Sequence, residues 1–71
     1  MELRVDCRLS PAGERTPQVV WFGSRPVAVQ AVVDRWYGRE HQWWKVDTAE
    51  GAYILREDAE GAWDLAAVPH A

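Results

Sequence analysis

Residues 2–9 alternate strictly between polar and apolar side chains. Leu3, Val5, Cys7 and Leu9 fall on one side, which is the two-residue period of a strand with one buried face. Residues 10–17 carry two prolines and a glycine and read as a loop. Residues 18–22, Gln-Val-Val-Trp-Phe, are β-branched and aromatic and predict a second strand. Gly23, Ser24 and Arg25 give a tight turn, and Pro26 belongs at a strand start or edge because it has no N–H to donate.

Residues 27–37 fit two periods. Val27, Val29, Ala31 and Val33 alternate as in a strand, whereas Val29, Val32, Val33 and Trp36 also form a helical stripe. The valine content and the preceding turn favour a strand. A short helix over 27–37 is the alternative, and it would change the class from all-β to α+β. After a polar connection over 38–42, residues 43–48 predict a strand. The turn Ala49-Glu50-Gly51 joins it to a strand over 52–57. A second turn over 58–61 leads to a last strand over 62–68, ended by Pro69. Trp44 and Val46, Tyr53 and Leu55, and Trp63 and Leu65 are expected to face inward.

The expected fold is therefore all-β: about six short antiparallel strands in one domain spanning 1–71. Its sheet is strongly twisted or closed into a small barrel, because open edges invite pairing with other chains. An edge left open would favour a homodimer.

The chain has 71 residues, too few for more than one domain. No apolar run is long enough for a transmembrane helix, and no signal peptide is expected from residues 1–4. The lone Cys7 fits a reducing cytoplasm. Five tryptophans stand out. A small chain without a disulfide needs large side chains to build a core, and Trp21, Trp36, Tyr53, Leu55, Trp63 and Leu65 are the core candidates.

The net charge of −3 argues against non-specific phosphate binding over the whole surface. The charge is uneven. Residues 1–45 carry seven Lys or Arg against five acids, while residues 46–71 carry Arg56 against six acids. That acidic third reads as a solvated face and turn tips.

Candidate chemistry is sparse. Cys7, His41 and His70 show no metal-ligand spacing, so no metal or other cofactor is expected. Cys7 and His41 are the one thiol–imidazole pair, and nothing local joins them. No enzymatic activity is expected. The segment 35–45 interleaves aromatic and basic residues, and Arg35, Arg39, Trp43, Trp44 and Lys45 are the candidate binding residues. Adjacent Trp43 and Trp44 point to opposite faces of a strand, so one of them faces away from the core. Such a surface anchors a protein partner through Trp and Arg, or stacks single-stranded nucleic acid while its cations follow the phosphates. The protein partner is the expected one and nucleic acid the alternative.

The chain also resembles a known family. The pattern is Trp-Phe-Gly at 21–23, the valine-rich 27–33, Asp-Arg-Trp at 34–36, Trp-Trp at 43–44 and Lys-Val-Asp-Thr at 45–48. It is completed by Gly51, residues 53–58 and Gly-Ala-Trp-Asp-Leu at 61–65. Over residues 17–68 this resembles a bacterial family of small domains of unknown function, found alone in actinobacterial and deinococcal-type genomes. It also looks like the domain appended to the C-terminus of the non-catalytic Y-family polymerase homologue of the bacterial mutasome. The resemblance implies an accessory role linked to DNA-damage tolerance and translesion synthesis, with no activity of its own. Relatives often carry a longer, more charged insert near these tryptophans, where residues 35–45 are short here.

Overall fold

The computed structural model describes residues 2–69. Six strands run in chain order: β1 (Glu2–Leu9), β2 (Arg15–Phe22), β3 (Arg25–Tyr37), β4 (His41–Thr48), β5 (Gly51–Asp58) and β6 (Trp63–Ala67). Each pairs antiparallel with the next, and β6 returns to β1, closing a barrel. The extents are 27 × 26 × 25 Å. Six strands laid flat would form a layer only about 10 Å thick, so closure sets the shape. The alternative helix is overturned: residues 27–37 lie within β3.

The turns follow from local chemistry. Phe22 pairs with Arg25 around a two-residue loop, and Gly23, first in that loop, has φ +65°. Glycine adopts this conformation without a Cβ clash, and it matches the twist of a hairpin. Between β4 and β5 the buried Thr48 hydroxyl donates to the Gly51 carbonyl at 2.8 Å and accepts the Glu50 N–H at 3.0 Å. Those two bonds allow a polar side chain to stay inside the barrel end.

Every strand contributes to the interior. Leu3, Val20, Val27, Trp44, Val46, Leu55 and Trp63 are buried, and Val5, Cys7, Phe22, Val29, Tyr53 and Leu65 pack around the central cluster. The Trp44 and Trp63 rings meet with centroids 4.8 Å apart, tilted by 40°. Tyr53, Leu55, Trp63 and Leu65 thus take the core positions expected of them.

Three positions depart from expectation. Trp21 is on the outer face, opposite Arg4. Its indole N–H donates to Asp6 at 2.9 Å, and the Arg4 guanidinium lies 4.2 Å from the ring centroid. The all-apolar run from Val19 to Phe22 does not reveal which residues face inward, and Val20 took the core position. Trp36 is 41% exposed, opposite Trp43 on the outside. Bulges between Val29 and Ala31 and between Val32 and Asp34 each shift the phase of β3. The two shifts cancel, so Arg35 and Tyr37 return to the inner side with Val27 and Val29, and Trp36 faces out. Leu9 ends β1 at the rim and is 68% exposed.

The acidic third of the chain is not wholly solvated either. Glu57 is buried on the inner side and pairs with Arg15, and Glu50 pairs with Arg25. Both bridges join the basic part of the chain to the acidic part, which is how the charge asymmetry is absorbed.

Candidate functional site

β3 turns a corner of the barrel. Its first residues pair with β2 up to Ala28, and from Val29 onward its register partners are on β4. β2 pairs with β1 from Arg15 to Trp21, but its pairing with β3 begins only at Val19. Among the described residues, the β3 edge over 29–37 and the β2 edge over 15–18 have no partner strand. Two open edges therefore splay apart from the pairing of Val19 with Ala28. Glu14 and Arg35 approach across the gap, with carboxylate and guanidinium 3.9 Å apart.

This edge carries most of the exposed apolar bulk. Val32 is 38% exposed, Val33 53% and Tyr37 69%, beside Trp36. Tyr37 is the residue that sequence reasoning passed over as a candidate. The signal for it was present in the alternation from Val27, which puts Tyr37 on the inner side where the barrel no longer covers it.

The candidate residues divide between the two sides of the hairpin. Trp44 faces inward and is 2% exposed, so its candidacy as a surface contact is overturned. Trp43 is the outward member and is half-buried. Its ring is packed so closely on Gly38 that a Cβ there would fall 2.6 Å from Cζ3. The His41 ring lies on it with a centroid distance of 5.8 Å. Arg35, opposite Trp44, is also on the inner side. Its guanidinium lies 5.0 Å from the Trp44 ring centroid and 4.8 Å from that of Tyr37. One of its terminal nitrogens donates to Gln42 Oε1 at 2.9 Å. Its Nε is buried without an acceptor, as is Trp44 Nε1. Arg39 is exposed and Lys45 half-buried; neither makes an ion pair among the described residues.

The remaining chemistry is dispersed. Cys7 lines a groove of about 620 Å³ along the seam of β1 and β6 with Arg15, Glu60 and Trp63. Burial pushes its thiol above the ordinary range, Arg15 opposes this, and Glu57 and Asp6 add to it. His41 stacks on Trp43 instead, and no hydrogen bond joins the two. Among the described residues no three His, Cys, Asp or Glu side chains are grouped for a metal ion. His70 lies outside the described residues. Among the described residues no helix is long and apolar enough to cross a membrane.

Fold and site together define a small closed antiparallel β-barrel with one long, partly unpartnered strand. Among known proteins, no family model, no curated protein and no solved structure matches the chain.

Proposed function

We propose that the chain is a non-enzymatic accessory domain that works by binding another protein, in the DNA-damage tolerance setting that the family resemblance suggests. The observation that carries this is the open edge of β3 with Val32, Val33, Trp36 and Tyr37 exposed along it. A sheet edge is a template for another polypeptide, and exposed aromatics beside an arginine are typical anchors of protein interfaces. Nucleic acid is the weaker reading. Arg39 and Lys45 flank the outward tryptophans, but Arg56 on the same outer face is paired with Asp64 and Asp34 stands beside Trp36.

Two measurements test this. A photo-crosslinking residue at position 37 is expected to capture a protein in the source cell that the same residue at position 66 does not. Capture at both positions or at neither removes the reading. Titration with oligothymidylate at low salt is expected to leave tryptophan fluorescence unchanged. Quenching that weakens steeply with added salt would install the nucleic-acid reading in its place.

A further inference from the structure

We propose, resting on the protein-binding reading, that the open edge of β3 takes an extended peptide strand bearing a carboxylate, paired along residues 29–37 and held at Arg35.

Three features specify this occupant. The first is the edge itself. Backbone groups of β3 that point away from β4 have no partner strand among the described residues from Val29 onward. An added strand satisfies them with main-chain hydrogen bonds, and its alternate side chains meet alternate side chains of β3. The second is an unpaired donor at that edge. Arg35 Nε is buried without an acceptor, on a side chain that still keeps a quarter of its surface exposed. Buried N–H groups left unpaired are costly, and an occupant that supplies acceptors relieves that cost. The third is incomplete neutralisation of Arg35. Among the described residues Glu14 is the one carboxylate in ion-pair range, at 3.9 Å, and its side chain is 67% exposed. Asp34 is turned to the Arg35 backbone N–H at 2.8 Å. A second carboxylate therefore has a cation to meet, in a setting where charge-assisted hydrogen bonds are the strong ones.

A second copy of the chain does not meet these terms. Two β3 edges pairing antiparallel about a two-fold axis set residues of the same face opposite each other. With the two bulges counted, the residues of β3 that share the inner side with Arg35 are Val27, Val29, Val32 and Tyr37. None supplies a carboxylate, and one register opposes Arg35 with itself. Single-stranded nucleic acid fits no better, because its backbone carries no N–H groups to donate to the carbonyls of the open edge.

The test is selection from a display library of random peptides long enough to span residues 29–37. Enriched peptides are expected to carry Asp or Glu among β-branched and aromatic residues. Their amide shift changes on the protein are expected to centre on residues 29–37 and 15–18. Arg35→Gln is expected to weaken binding about tenfold or more. Glu14→Gln, a change at an exposed loop carboxylate, removes the competing acid and is expected to tighten binding several-fold. It keeps the test decisive if Arg35→Gln does not fold. N-methylation of alternate peptide residues is expected to abolish binding. No enrichment, peptides without carboxylates, indifference to Glu14→Gln, or survival of N-methylation each overturns the proposal. A protein crosslinked at position 37 alongside any of those results leaves the protein-binding reading standing and removes this one alone.

Discussion

Trp43 rests on Gly38: a Cβ built at that glycine would lie 2.6 Å from the indole Cζ3 and 2.9 Å from Cη2. The outward tryptophan of the pair is thus covered on one side by its own hairpin turn. Gly38→Ala is expected to displace the ring and to destabilise by about 1–2 kcal/mol, the usual scale of overpacking. The indole N–H resonance of Trp43 should move, while that of the buried Trp44 stays. An unchanged Trp43 resonance would show that the ring does not sit there.

That contact marks where the sequence stops being legible. Strict alternation over residues 2–9 sets the face of β1, and Gly-bearing turns set β4, β5 and β6, so six antiparallel strands could be read directly, while closure stood beside a strongly twisted open sheet. The parity of Val19 to Phe22 could not be, because four consecutive apolar residues fit either face, and Trp21 was assigned wrongly. At the site, adjacency required one of Trp43 and Trp44 to face out. Alternation with Val46 turned Trp44 inward, and both are buried; the two bulges of β3 opposite them, which set Trp36 outside and Arg35 inside, have no local signal. The corner in β3 that frees its edge is likewise a property of closing the barrel, not of any residue in it.

Trp44 and Trp36 should separate sharply under truncation. Trp44 is buried against Trp63, so Trp44→Ala is expected to cost about 3–5 kcal/mol, enough to unfold a chain of this size. Trp36→Ala on the outer face is expected to stay within about 1 kcal/mol. Urea denaturation followed by far-ultraviolet circular dichroism measures both. Equal losses would contradict the placement of the two rings.

Glu57 is buried with Arg15 as its partner, whereas Arg15 is half-exposed. Removing one member of a buried pair costs about 3–5 kcal/mol, and water reaching the Arg15 side reduces that here to about 2–3 kcal/mol. Arg15→Ala is therefore expected to be costlier than Arg15→Ala combined with Glu57→Leu, which leaves no carboxylate stranded. A double-mutant cycle by urea denaturation reads the difference. Simple additivity would mean that the pair contributes nothing.

Cys7 is expected to be a slow thiol. Burial raises its pKa, so the thiolate fraction near neutrality is smaller than that of a free cysteine. Its reaction with a disulfide reagent should be slower than that of a cysteine-containing peptide at pH 7. Mild urea, below the unfolding midpoint, should leave the rate nearly unchanged. A rate at or above the peptide's would overturn the shielded assignment and reopen Cys7 as reactive.

Asp58 gives the fold an acid-sensitive turn. Its Oδ1 accepts the N–H groups of Ala62 and Glu60, each at 2.9 Å. The Ala62 and Glu60 bonds, in that order, hold its carboxyl below the usual range, with burial opposing and His41 and the Gly61 N–H assisting. A carboxyl depressed on folding contributes stability that is present above the unfolded pKa, about 3.9 for Asp. That contribution disappears as pH falls through the lower folded value. Asp58→Asn keeps an acceptor of similar shape but cannot ionise. The difference in Tm between the native chain and Asp58→Asn is thus expected to be largest above about pH 5 and to close below about pH 4. Asp58→Ala, which deletes the acceptor altogether, should be less stable than the native chain at every pH. A Tm gap for Asp58→Asn that is independent of pH would show that the ionised carboxylate does not hold this turn.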